Sequence, residues 1–454
     1  MTLFHRPLLV IFLIIFSINI GYALLYAIEP RVDAEAYDEI ATNLFKYGIY
    51  QANLDGSPLL DGSITRIGPG YEFFLAGIYS IFGRRFVFVW IIQAILYALS
   101  IVMLGKITIF LVPEFERHQK WFFGLLIFFG VFIDAIQLNA MLMTESLTIF
   151  LITLVFYIFT HHFQKKNYSI WEGMLIGLVA GILMLVRPMG FLILLTCLGA
   201  VFFIRRKHAI SYALAAVLVF GAIQIPWIYR NYNIFGTFLF HTAAGGMNLL
   251  SGNYPGNHGE FTADFLLFED LKSLYPAPVD FSRAAEDWYR DFFFHHPFQA
   301  LGILFEKTMI FFSLTKTSGF WFHYFGSFDK AVTVVISVIQ NFLILGTIFA
   351  FMIMTILRYI RERSISKRDI FFFCIIAVMI AIPILTVVAN RHRLPLAVLS
   401  LPLFGIVFMN VVSWVSQKKV KFFSIVAIPL IVTTFIDLSL QFDKFKSHLS
   451  KLLS

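Results

Sequence analysis

The chain has 454 residues, 59% of them hydrophobic and 14% charged, where soluble domains carry about 45–50% and about 25%. That balance excludes a disordered chain and argues against a soluble multidomain enzyme, whose polar linkers are absent. Net charge is +8, but the basic residues are scattered through short loops without a basic stripe or tail, so nucleic acid is not an expected partner.

The first apolar run, 7–28, follows His5 and Arg6. It is too long for a signal-peptide core and lacks a small-residue cleavage site, so it predicts a retained transmembrane helix. Further runs long enough to cross a ~30 Å hydrocarbon layer fall at 86–112, 121–138, 144–160, 171–186, 188–204, 209–229, 330–357, 370–388, 394–414 and 420–440. The segment 298–314 is apolar enough to insert, but Glu306, Lys307 and Lys316 favour a helix lying in the interface. The expectation is an all-α polytopic membrane protein with about 11 transmembrane helices and long outer loops carrying interfacial helices. It forms one transmembrane domain over 1–440, followed by a short tail at 441–454. Cys197 and Cys374 each sit inside an apolar run and do not suggest a disulfide framework.

Orientation follows from the basic residues of the short loops. Arg117 and Lys120, Lys165 and Lys166, Arg205 to Lys207, the Arg358–Arg368 loop, and Lys418, Lys419 and Lys421 all fall on one side with the N-terminus. The predicted location is a multi-pass integral membrane protein of the inner or plasma membrane. Its two long loops, 29–85 and 230–329, then face outward. Polar residues with chemical potential concentrate in those loops.

In the first outer loop, Asp33 opens a stretch in which Tyr37, Ile40, Ala41 and Leu44 form one helical stripe. A carboxylate there either favours the helix N-terminus or serves as a general base at the membrane boundary. Arg66 precedes Gly68-Pro69-Gly70-Tyr71, and either snorkels to headgroups or holds a phosphate through a forked charge-assisted contact. Thr144-Glu145 opens the fourth span. Glu145 is a helix-start carboxylate or an intramembrane functional acid. Arg187-Pro188 breaks two apolar runs in the same outer layer, where proline explains the break but not the arginine.

The second outer loop carries Trp227, Arg230-Asn231, Asn248, Gly252-Asn253, Pro255, His258 and Gly259, a density of glycine and asparagine able to approach a ligand closely. Asn390-Arg391-His392-Arg393 is the one basic cluster that breaks the positive-inside pattern, and a ligand phosphate rationalises it. The pairs His161-His162 and His295-His296 lack metal-ligand spacing, and no nucleophile motif is present.

In this order and on this side, the set resembles the GT-C membrane glycosyltransferases, in particular the family-39-like group that includes protein mannosyltransferase and aminoarabinose or galacturonic acid transferase relatives. The resemblance rests on Asp33 with Tyr37, Ile40-Ala41 and Gly48, Arg66 with Pro69-Gly70-Tyr71, and Thr144-Glu145. It continues through Arg187-Pro188, Trp227 with Arg230-Asn231, Gly252-Asn253 with Pro255 and Gly259, and Arg391 with Arg393 and Pro395. It implies transfer of a sugar from a polyprenyl-phosphate carrier to a lipid, glycan or protein acceptor at the outer face. By the resemblance, Asp33 and Glu145 are catalytic, and Arg66, Arg187, Arg391 and Arg393 bind the donor phosphate. Tyr37, Tyr71, Arg230, Asn231, Asn248, Asn253 and His258 form the substrate loops.

Metal-binding relatives carry an acid just before the basic loop position, which is Thr65 here; no cofactor is therefore assigned, and a divalent ion would fall to Asp33 and Glu145. The competing reading is a polyprenyl-lipid transporter. It expects charges along an intramembrane path, whereas Asp134, the clearest interior acid, has no basic partner nearby in sequence. Internal repeats and matching interrupted helices, which build many transporters, are also absent.

Overall fold

The computed structural model describes residues 5–65, 68–163, 169–204, 209–315, 330–416 and 422–440, with 442 and 446. Arg66, Lys316, the loop lysines and arginines at 165, 166, 205–207, 418, 419 and 421, and nearly all of the tail 441–454 lie outside the described residues. Among the described residues every regular element is helical, as expected of an all-α membrane protein.

Helix α1 (His5–Tyr26) leads into two outer helices, α2 (Asp33–Tyr47) and α3 (Gly70–Phe82), and then into α4 (Phe86–Leu111). Next come α5 (Gln119–Gly130), α6 (Ile133–Asn139), α7 (Glu145–Phe163), α8 (Ile170–Val186), α9 (Met189–Ile204) and α10 (Ala209–Phe235). The second outer loop folds into α11 (Ala244–Asn253), α12 (Leu266–Leu274), α13 (Pro278–His295) and α14 (Pro297–Phe312). The chain ends with α15 (Lys330–Glu362), α16 (Lys367–Leu385), α17 (Leu394–Leu399), α18 (Leu401–Ser416) and α19 (Phe422–Leu440).

Five of these helices, α1, α4, α10, α15 and α16, are long and apolar enough to cross a membrane. Two bent pairs raise the number to as many as seven. The shorter apolar helices α7, α8, α9 and α19 occupy the remaining predicted runs. The chain is thus an integral membrane protein. Helix α14, the segment expected to lie in the interface, is not among the spanning helices.

The stretch 121–138, expected as one helix, is bent by 48° between α5 and α6. A break inside hydrocarbon exposes backbone groups that water cannot satisfy. Gln340 of α15 solves this: its Oε1 accepts from the Ile133 amide at 3.0 Å, and its Nε2 donates to the Val131 carbonyl at 3.2 Å. The stretch 394–414 is likewise bent, by 58°, between α17 and α18, just before Pro402. Asp134, without a basic neighbour in sequence, is held by Ser337 (2.5 Å) and Asn341 (2.9 Å), and the charge of Arg393 acts on the same group.

Packing of α8 on α10 depends on small residues. A Cβ on Gly173 would stand 2.3 Å from the Tyr212 carbonyl oxygen, and one on Gly177 2.2 Å from that of Ala216. Four-residue spacing places both on one face, so the two backbones touch, as small-residue interfaces in membranes allow. Gly177→Val is expected to force the helices apart and cost about 1–3 kcal/mol. A fall in apparent Tm of the purified protein checks this, with the outward-facing Leu178→Val as the silent control. The contact also sets the position of Arg187, the residue that ends α8.

Candidate active site

Asp33 is the first residue of α2, reached through Val32 at φ 54°, whose side chain offers no cap to the helix. Its carboxylate instead meets Arg391, with Oδ2 2.5 Å from Nη2. The pair stays accessible, with side chains 30% and 15% exposed. Beneath it, α2 buries Ala34, Tyr37, Asp38, Ile40 and Ala41 while Glu35 and Glu39 face outward. Asp38 pins this helix: it accepts from the Tyr79 hydroxyl at 2.7 Å and from both Nε and Nη2 of Arg84, the latter at 2.5 Å. Sequence reading passed over Asp38. The usable signal was a carboxylate within the buried side of an amphipathic helix, where it requires a partner.

Glu145 and Arg187 form a second pair, Oε1 to Nη2 at 2.5 Å, with side chains 0% and 4% exposed. The same guanidinium donates to Thr144 Oγ1 at 2.8 Å. Glu145 was expected as a catalytic carboxylate alongside Asp33. In the structure it is fully buried and is the counter-charge of Arg187, while its Oε2 has no hydrogen-bond partner. The loop before it is held by Gln93, which accepts from the Tyr71 hydroxyl (2.7 Å) and donates to the Asn139 and Met141 carbonyls (2.8 Å each). Asn139 in turn joins Asn19 and Ser146.

The two pairs share one neighbourhood. Arg391 feels the charges of both Asp33 and Glu145, and its Nη1 lies 4.0 Å from Met143 Sδ. Tyr37 and Tyr71 form the floor, fully buried and packed edge to face with centroids 5.4 Å apart. Burial first, then the Asp33 charge, holds the Tyr37 phenol well above the ordinary range, so it stays protonated. The glycine–proline–glycine turn after Arg66 also reaches this region. A Cβ on Gly68 would meet the Leu185 carbonyl oxygen at 2.2 Å, two residues before Arg187. Arg66 itself lies outside the described residues. Leading into it, Asp61 accepts from the amides of Ala52, Asn53 and Ser63. Burial raises this carboxylate, but those amides outweigh it and leave it below its usual range.

Described residues of the second outer loop support the segment that carries Arg391. Gly252 packs against the Thr386 carbonyl (1.9 Å to a hypothetical Cβ), and the Val388 amide donates to Gly259 at 2.8 Å, so this loop braces the strand of chain entering Arg391. Asn253 is buried, donates to the Leu249 and Leu385 carbonyls, and accepts from Lys307 Nζ at 2.8 Å. His258 faces Glu306 at 3.2 Å, and Asn248 is half-buried on α11. Arg230 stacks over Tyr50 and Trp227 and donates to the Tyr50 carbonyl and to Asn231, which donates to Leu239. Arg393, expected on the phosphate, donates instead to the carbonyls of Phe311 (3.2 Å) and Ser313 (2.7 Å) at the end of α14.

Burial pushes the Lys307 ammonium down to about 7 from 10.5. Between those values the unfolded chain binds a proton that the folded one lacks, so stability rises with pH from about 7 toward 10.5, and the cost of charging Lys307 is felt in full below 7. Lys307→Met is expected to flatten that slope in thermal melts taken across pH 6–10 (about the ordinary span for such melts).

Among the described residues, no group of three His, Cys, Asp or Glu side chains is arranged to hold a metal ion. Asp33 and Glu145 each face a guanidinium, an environment that suits an anionic ligand beside them rather than a cation.

No family model matches the chain, and no curated protein matches it. Among solved structures it is similar to the archaeal oligosaccharyltransferase AglB from Archaeoglobus fulgidus in complex with an inhibitory peptide and a dolichol-phosphate. Identity there is 13% and the TM-score 0.48, over 96% of this chain and 56% of that one. It is also similar to ArnT from Cupriavidus metallidurans bound to undecaprenyl phosphate, at 12% identity and a TM-score of 0.37, over 87% of this chain and 77% of that one.

Proposed function

We propose that the chain is a GT-C-type glycosyltransferase that moves a sugar from a polyprenyl-phosphate donor to an acceptor hydroxyl at the outer face of the inner or plasma membrane. The observation that carries this reading is the accessible Asp33–Arg391 pair, set beside the buried Glu145–Arg187 pair at the ends of membrane helices. A donor phosphate fixed to a lipid must be met at the membrane boundary, and guanidinium is the side chain suited to it.

In the proposed reaction the acceptor oxygen bonds to the anomeric carbon as the bond to the phosphate oxygen breaks. The hydroxyl proton passes to Asp33, and the lipid phosphate leaves with the electron pair. General-base help of this kind contributes about 10²–10⁴-fold. Arg391, with donors beyond the one spent on Asp33, receives the charge developing on the phosphate. Donor binding competes for Arg391 and so loosens its hold on Asp33, which readies the base only when the donor is present. Arg187, fixed by Glu145 and Thr144, adds a second positive charge close to the departing phosphate, and the family resemblance assigns Arg66 to the same phosphate.

The test is a panel of polyprenyl-phosphate sugars offered to the purified protein with lipid, glycan and peptide acceptors. Released polyprenyl phosphate and the configuration of the product are the readouts. The proposal expects release from at least one donor, with inversion at the anomeric carbon. A product that keeps the donor's configuration contradicts the single displacement, and the absence of release from every donor contradicts the transferase reading.

A further inference from the structure

At the far end of the bundle from the ion pairs lies a cavity of about 360 Å³. Leu104 of α4, Phe156 of α7, Phe371 and Ile376 of α16, and Leu399 and Leu403 on either side of the 58° bend line its wall. The bend makes the space, because the chain turns at Ser400 instead of continuing the α17 axis across the gap. Polar lining is confined to Thr160, Ser400, Lys367 and Arg368. The last two begin α16, and its 19 residues rise about 28 Å before the chain reaches the Arg391 turn. The polar end of this cavity, at Lys367 and Arg368, is therefore the length of α16 away from the Arg391 turn.

An empty cavity lined by hydrocarbon forfeits dispersion contacts, and water does not fill such a space. A lipid chain does. Moving that chain from bilayer to cavity brings no hydrophobic gain, so selection must come from the headgroup. At the mouth, Arg358 and Arg368 share the single carboxylate of Asp369, through Oδ2 at 2.8 Å and Oδ1 at 3.1 Å. Among the described residues, Lys367 reaches the Phe203 carbonyl, at 3.4 Å. Three cations against one carboxylate leave an excess of two positive charges beside an apolar slot. We infer that this cavity binds an anionic glycerophospholipid of the leaflet opposite the Asp33–Arg391 pocket, its acyl chain inside and its phosphate at Lys367 and Arg368.

The full-length protein, reconstituted in equimolar phosphatidylglycerol and phosphatidylcholine vesicles, is solubilised and stripped in steps, and the retained lipid is counted by native mass spectrometry. The expected result is one retained phosphatidylglycerol. Its preference over phosphatidylcholine should fall about ten- to thirtyfold in Lys367→Gln/Arg368→Gln. Ile376→Phe, which fills the slot, should abolish retention; if that variant does not fold, the charge variant alone decides. Equal retention of the two phospholipids by the unaltered protein overturns the inference, as does a preference that survives the charge variant. Added polyprenyl phosphate that takes the place of the phospholipid regardless of Lys367 and Arg368 also overturns it, and gives the cavity to the polyprenyl tail.

Discussion

Asp33→Asn should reduce transfer by about 10²–10⁴-fold while the protein still folds and still binds polyprenyl phosphate. The substitution keeps the size of the side chain and its place at the start of α2. It removes the proposed general base and weakens the grip on Arg391, which sits 2.5 Å away. Asp38 still anchors α2 to Tyr79 and Arg84, so a helix left intact by circular dichroism and an unchanged Tm separates loss of the base from loss of fold. Donor binding, measured as polyprenyl-phosphate affinity, should stay level or tighten, because Arg391 no longer divides its attention between two anions. Turnover equal to that of the unaltered protein removes Asp33 from the reaction.

The second large effect belongs to Arg187. Replacing it with alanine leaves Glu145 fully buried and without its counter-charge, a situation that typically costs 3–5 kcal/mol. Thr144 loses the same partner. The expected outcome for Arg187→Ala is a sharp fall in apparent Tm together with loss of transfer. The double substitution Arg187→Met/Glu145→Gln should regain most of the stability, since neither charge then remains, but not the transfer. This separation distinguishes a pair that merely holds the fold from one that also positions charge for the donor. A single variant as stable as the unaltered protein would show that the pair does not matter to folding.

The all-helical, membrane-spanning character was legible because hydrocarbon allows only helices with their backbone groups satisfied, and every predicted run is occupied by apolar helix, five of them long enough to cross unbroken. The convergence of Asp33, Glu145, Arg187 and Arg391 was legible for a related reason. Each sits where an apolar run ends on the same side, and a charge at that depth requires company. What such reasoning missed depends on distant partners. The bend at Val131 is set by Gln340, and the fixing of α2 by Arg84, contacts that no local pattern announces. Arg393 is two residues from Arg391, and the short 3₁₀ turn that holds both aims its Nη1 at the Phe311 and Ser313 carbonyls at the end of α14, a contact no local pattern announces. Tyr37 and Tyr71, assigned to the substrate loops, are fully buried and packed edge to face, because in α2 and α3 they fall on the inward stripe. Gly252, Asn253 and Gly259 looked like a ligand loop, and in the structure they clamp the Thr386–Val388 segment that delivers Arg391.

A photoreactive polyprenyl phosphate, with its diazirine on the first isoprene unit, asks directly whether these arginines and Asp33 surround a lipid phosphate. After irradiation of the purified protein, labelled peptides are expected to contain Asp33, Met143–Glu145 or Arg391, and the labelling should be lost in Arg391→Ala. Crosslinks confined to the helix ends around Lys367, or unchanged by that substitution, would mean that the lipid phosphate is held elsewhere.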